Sequence, residues 1–330
     1  MKRRYQWLSV AAALIILFLL GPRSSVDITP PSITLSPDLD HYLQQSEARF
    51  RDITPGTEKT IRWAYPDKRK TPIALVYLHG YSATRQETAP LADDLATKLG
   101  ANLFYTRLNG HGRPGQAMAE ARAEDWLYDA AEALAIGKQL GQQVVIIGMS
   151  TGGTLAVWLA SEVQDPQVLA YVLISPNFSP KDPAAQILNW PWASYFVPAL
   201  LGPNHEWTPR NAEQARYWTH SHPTNALLPM MALVDTVNEL PLGHIKTPLL
   251  MIYAPDDQVV SPAASAAAFP RWGAANKQQV LLEHSQDNSH HILAGRIVAP
   301  RDTPRVAALI EAFLLQLGVT PLAADHAADK

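Results

Sequence analysis

The sequence predicts an α/β fold: a mainly parallel central sheet with helices on both faces and an inserted helical lid. Three observations carry that prediction. Short apolar runs such as "PIALVYLHG", "QVVIIGM" and "PLLMIYA" read as strands buried on both faces. Segments with apolar residues at helical spacing alternate with them. One long stretch, residues 177–245, breaks that rhythm between two strands, as an insertion does.

Taken in order, residues 1–21 stand apart. Lys2, Arg3 and Arg4 precede an apolar run from Trp7 to Leu20, the pattern of a signal-anchor or a signal peptide. Basic residues stay on the cytoplasmic side, so the rest of the chain is expected on the extracytoplasmic side, held to the membrane or released after cleavage. Residues 22–58 are a tether and lead-in: Pro22 to Asp38 is rich in Pro, Ser and Thr, and "LDHYLQQSEARF" reads as a short helix. The core is expected at 59–176 and 246–320. It opens with "TIRWAY" and "PIALVYLHG" as strands, then "NLFYTRL" and the glycine-rich "NGHGRPG". "EDWLYDAAEALAIGKQL" is a helix, "QVVIIGM" a strand, "TLAVWLASEV" a helix and "VLAYVLIS" a strand. After the insertion come the strands "PLLMIYA" and "QVLLEH", then a helix from about Pro304 to Leu317; residues 321–330 form a tail. The insertion carries Trp190, Trp192, Tyr195, Phe196, Trp207, Tyr217 and Trp218, which are expected to line an apolar pocket or to form its own small core.

Composition removes several classes. The net charge of −3 does not suit a general nucleic-acid binder. The absence of cysteine removes disulfides, thiolate metal sites and cysteine nucleophiles.

The chemistry starts at "IIGMSTGGTLAVWLA". Gly148-Met149-Ser150-Thr151-Gly152 is G-x-S-x-G between a strand and a helix. A sharp turn there exposes the serine under backbone strain, and the flanking Gly148 and Gly152 leave room for it. A serine hydroxyl needs a base, and the base needs an orienting carboxylate. On this architecture the order along the chain is Ser, Asp, His. "LLMIYAPDDQVVSP" ends a strand before Asp256 and Asp257; Asp257 is the expected acid, because the apolar Val259 and Val260 beyond it are expected to pack down and fix the loop, and Asp256 is the alternative. "QVLLEHSQDNSHHILAG" supplies His291 as the expected base and His290 as its alternative. Thr151 N–H, directly after the serine, and Tyr81 N–H, after His79-Gly80, are the expected oxyanion donors. His79 is expected to hold that loop by hydrogen bonds. This chemistry requires no metal and no cofactor.

Together these pieces resemble the α/β-hydrolase superfamily. They are most similar to its branch of monoacylglycerol lipases, lysophospholipases and serine aminopeptidase-like hydrolases. "YLHGYSA", "RLNGHGRP", "EDWLYDA", "GMSTGGTLA", "TPLLMIYAPDDQVVSP" and "NSHHILAG" occur in that family's order over roughly Thr60 to Leu317. The resemblance implies Ser150, Asp257 and His291 as triad and Tyr81 and Thr151 as oxyanion donors. One departure stands out: the family often has Gly before its catalytic histidine, where this chain has His290. The substrate expected is a small apolar acyl ester such as a lysophospholipid or monoacylglycerol. An aminopeptidase-like amide hydrolase and an acyltransferase are alternatives on the same triad. A membrane-tethered binding protein with an inactive hydrolase fold is the alternative of another class.

Overall fold

The computed structural model describes residues 2–322. Residues 323–330 of the expected tail lie outside the described residues. The strands are β1 (Thr60–Arg62), β2 (Thr71–Leu78), β3 (Asn102–Tyr105), β4 (Gly141–Met149), β5 (Val168–Ile174), β6 (Asn204–Glu206), β7 (Ser221–Pro223), β8 (Leu249–Tyr253) and β9 (Lys277–Leu281). Seven of them form one sheet in the order β1-β3-β2-β4-β5-β8-β9. Only the β1–β3 pairing in it is antiparallel. The strands β2, β4, β5 and β8 are buried almost end to end, which is why their sequences run apolar instead of alternating.

The helices are α1 (Lys2–Leu19), α2 (Leu39–Glu47), α3 (Leu91–Leu99), α4 (Ala123–Leu140), α5 (Thr151–Trp158), α6 (Ala193–Leu201), α7 (Ala212–Tyr217), α8 (Leu227–Asn238), α9 (Pro262–Arg271) and α10 (Thr303–Gln316). The sequence reading did not include α3, α6, α7 and α9. Helix α3 buries Leu91, Ala92, Leu95 and Ala96 on one stripe and ends at Gly100, whose φ of 59° suits a left-handed helix cap. One core layer packs α4, α5 and α8 against one sheet face, and a second packs α3 and α10 against the other.

The chain leaves β2 toward β3 on one side and returns through α4 to β4 on the other. The loops after β2 and β4 diverge at that reversal, where open parallel sheets hold their sites. Between β5 and β8 the chain builds α6, α7, α8 and the antiparallel β6–β7 pair over the same end of the sheet.

Two expectations change. Pro22–Asp38 has no regular structure, but it lies on the domain and is not a free tether. Val26, Ile28, Ile33 and Leu35 pack against the core, and Trp158 donates its indole N–H to Ile28 O at 2.9 Å. The N-terminal apolar run does form α1, whose end meets the insertion through Trp192 Nε1 and the Phe18–Trp190 ring pair. Among the described residues, however, no helix is long and apolar enough to cross a membrane, so the expected spanning anchor has no support here.

Candidate active site

Ser150 sits at the turn from β4 into α5 with φ 53° and ψ −117°. A residue with a Cβ pays strain of about 1–3 kcal/mol there, and surrounding bonds must hold it. The Ser150 N–H donates to Ile174 O at 3.0 Å, and Ser150 O accepts from Gly153, Thr154 and Asn177. The neighbouring glycines are needed for clearance. A Cβ on Gly148 would lie 2.5 Å from Gly152 O, and one on Gly152 would lie 2.0 Å from Leu78 O. The turn can tighten only because both lack side chains. Thr151 opens α5, so the positive end of that helix faces the serine.

The loop after β2 approaches from the adjacent strand. His79 is fully buried and bonds in two directions. Its Nε2 accepts Leu108 N–H at 3.0 Å, which leaves Nδ1 as the protonated nitrogen donating to Gly80 O at 2.9 Å. Burial pushes its pKa down to about 4, so it stays neutral, as a structural tie requires. The expectation for His79 thus matches its geometry.

The two acid–base candidates separate into two pairs. His291 Nδ1 stands 2.8 Å from Asp257 Oδ2, with both side chains buried. His290 Nε2 stands 3.4 Å from Asp256 Oδ2, with side-chain exposures of 27% and 51%. The reason for the separation is backbone geometry: His290 has φ 54°, which turns it away from its neighbour. Burial lowers the pKa of His291, but Asp257 and the carboxyls of Asp287 and Glu87 outweigh it, and the net direction is upward.

The physical reason offered for Asp257 needs correction. Val260 packs inward, but Val259 is half-exposed. The loop is fixed instead by their backbone: Val259 and Val260 N–H donate to Asp257 Oδ1 at 2.7 and 2.9 Å. One carboxylate oxygen holds the loop while the other faces His291.

Ser150, Thr151, Tyr81 and His291 all line one cavity of about 520 Å³ beneath the insertion. Its wall is largely apolar, with Leu188, Leu227, Met230, Met231, Val260 and Ile292. Of the aromatic residues expected there, Trp207 and Trp218 line it, whereas Trp190 and Tyr195 face solvent. Such a site can bind an apolar chain and activate a hydroxyl next to it.

Three charged residues of this region escaped the sequence reading. Glu87, fully buried, accepts Gly80 N–H at 2.7 Å and the Tyr77 hydroxyl at 2.9 Å through Oε1, so it braces the loop that carries Tyr81. Arg210 of the insertion lines the cavity and pairs with buried Asp287 in the loop of His291. Only Asp287 had a local signal, as the aspartate opening "DNSHH".

Burial pushes the Glu87 pKa up from 4.5 to about 8, against those two bonds. Between these values the folded chain keeps a proton that the unfolded chain has released, so stability falls as pH rises. Glu87→Gln keeps an acceptor oxygen and has no charge to bury. Its melting temperature should therefore fall less than the wild type's between about pH 5 and pH 8. A fall of equal size in both proteins would remove Glu87 as the source.

Comparison with known proteins places this geometry in context. The family model described as "Serine aminopeptidase, S33" matches residues 70–293. A thermostable monoacylglycerol lipase from Bacillus sp. (strain H-257) is 25% identical over 221 residues, covering 67% of this chain and 83% of the lipase. Among solved structures, one from work on the metagenome-derived lipolytic enzymes LipS and LipT is matched with TM-score 0.64 and 22% identity, over 80% of this chain and 99% of that one. A monoacylglycerol lipase from Paleococcus ferrophilus follows with TM-score 0.58 and 16% identity, over 79% and 99%. At these identities the solved structures establish the α/β-hydrolase fold.

Proposed function

The chain belongs to the serine aminopeptidase S33 family, and on that premise we propose that it hydrolyses neutral, apolar carboxylic esters of the monoacylglycerol kind through Ser150, His291 and Asp257. The observation that carries this reading is the cavity: a serine on a strained turn and a buried His–Asp pair open into a single apolar pocket.

In the proposed reaction, Ser150 Oγ attacks the ester carbonyl carbon while His291 Nε2 takes its proton. Asp257 accepts the His291 Nδ1–H, which fixes the tautomer and stabilises the imidazolium. Charge developing on the carbonyl oxygen meets the N–H groups of Tyr81 and Thr151. His291 then protonates the departing alkoxide. Water, deprotonated by the same imidazole, attacks the acyl carbon; the bond to Ser150 Oγ breaks as His291 returns the proton to that oxygen, and the acid is released.

The wall supports a neutral substrate. Among the described residues lining the cavity, Arg210 is the only Lys or Arg, and Asp287 already neutralises it. An anionic headgroup would lose water there without gaining a free cation. An aminoacyl amide would need a carboxylate for its ammonium group. Burial pushes up the pKa of Glu87, the only carboxyl on that lining, and its Oε1 is engaged.

The test compares a monoacylglycerol, a lysophospholipid of the same acyl chain and an aminoacyl amide. The monoacylglycerol should show the highest kcat/KM, by about tenfold or more, since burying one poorly paired charge costs at least ~1–3 kcal/mol. Faster turnover of the phosphate-bearing ester or of the amide would sink the proposal. The basic-then-apolar order of residues 2–20 also supports export, because a signal's apolar region need not span a bilayer. Recovery of the protein solely from the cytoplasmic fraction would refute that.

A further inference from the structure

The loop that carries His291 is built around a second buried carboxylate, one that the proposed reaction does not use. Asp287 Oδ2 accepts the backbone N–H of His291 and of Ile292, both at 2.9 Å, and the Ser289 hydroxyl at 2.5 Å. Asp287 Oδ1 faces Ser289 N–H at 3.4 Å and pairs with Arg210 Nη1. His290 N–H donates to Asp287 O at 2.8 Å. The turn from Asp287 to Ile292 is thus wrapped around one residue. Its strained member is His290, at φ 54°, and that inversion is what delivers His291 to Asp257.

Arg210 reaches this carboxylate from the insertion. Its own backbone N–H donates to Gln214 Oε1 at 2.8 Å, which fixes it to α7. The same segment is fastened beyond the loop: Asn211 Nδ2 donates to Ile297 O at 3.0 Å, and Glu213 pairs with Arg296. The insertion therefore touches the His291 loop through a charge pair whose acidic member is also the loop's internal brace.

We infer that Asp287 is a positioning residue for His291 and that Arg210 couples it to the insertion, so that the seat of the insertion on the core governs how the imidazole is presented to Ser150. The inference rests on His291 being the base. It explains why a buried carboxylate beside a base needs a cation from a separate segment. The Asp287 charge raises the pKa of His291 and so favours its charged form, and a charged imidazole cannot accept the serine proton. Arg210 offsets that field while leaving the three hydrogen bonds at Oδ2 in place.

The charges around His291 make the test directional. Asp257 faces it from the loop after β8, Glu87 from the turn before α3, and Asp287 from its own loop, with Arg210 behind; His290 and Asp256 pair on the outer side. Hydrolysis of a neutral ester is measured across pH for the wild type, Asp287→Asn, Arg210→Gln and Arg210→Lys. Asp287→Asn and Arg210→Gln should each lower kcat by roughly tenfold to a hundredfold with KM nearly unchanged, the scale of a slightly misplaced catalytic group. The acidic limb of kcat/KM should move in opposite directions. Asp287→Asn removes a negative charge, so activity persists to lower pH. Arg210→Gln unmasks that charge, so activity is lost at higher pH. Arg210→Lys keeps the charge and should restore the wild-type limb.

Acidic limbs that coincide with the wild type's, or a loss confined to KM, would overturn the coupling. If Asp287→Asn does not fold, the two Arg210 variants decide the matter, because that side chain is one-third exposed. A wild type without any acidic limb would overturn the assignment of His291, and the coupling with it. A wild-type limb that no variant shifts overturns the coupling alone.

Discussion

Replacing Ser150 with alanine is expected to lower kcat by roughly 10⁴- to 10⁶-fold, the loss that follows when a triad serine is removed. The fold should barely notice. Alanine keeps the Cβ, and the bonds that hold the strained turn run through backbone groups: Ser150 N to Ile174 O, and Ser150 O to Gly153, Thr154 and Asn177. The melting temperature should shift by about 2 °C or less. A large loss of activity accompanied by a large loss of stability would point to a damaged turn and not to a missing nucleophile.

The second large effect is expected at the acid–base pair. His291→Ala should cost about as much as Ser150→Ala, since members of a triad act as a unit. Asp257→Asn should cost about 10⁴-fold in kcat. Its cause would be tautomeric. The asparagine oxygen can keep the bonds from Val259 and Val260 N–H, which turns its NH₂ toward His291 Nδ1. The imidazole then accepts at Nδ1 and carries its proton on Nε2, the atom that must accept from Ser150. His290→Ala and Asp256→Asn serve as controls. Their pair is 3.4 Å apart and partly exposed, so each should change kcat by less than about tenfold. Equal losses at His290 and His291 would contradict the pairing on which the mechanism stands.

Much of this arrangement was legible in the residues. The apolar strands and the glycines around Ser150 carry strong local patterns, because a buried parallel strand and a tight strand-to-helix turn tolerate few alternatives. Asp257 and His291 could be narrowed only to pairs of neighbours. Adjacent residues in a loop differ by backbone direction, and the left-handed turn at His290 that separates them has no mark in the sequence. Helix α9 carries two prolines and a short alanine-rich stripe, so its periodicity is faint. Glu87 and Arg210 were out of reach for a different reason, and Asp287 showed only its place at the opening of a turn. Arg210 and Asp287 take their meaning from each other, far apart along the chain, and Glu87 takes its meaning from being buried against Gly80, which no local pattern marks. The aromatic residues of the insertion show the same limit. Their number suggested a lined pocket, but the aliphatic residues of α8 form much of the wall, and Trp190 and Tyr195 point outward.

The most direct test of the central claim is covalent labelling with a fluorophosphonate, followed by mass mapping of the modified peptide. The account predicts a single adduct on Ser150 of the folded wild-type protein and none on Ser150→Ala. Folded wild-type protein that takes no label, or an adduct that maps to another residue, would contradict it.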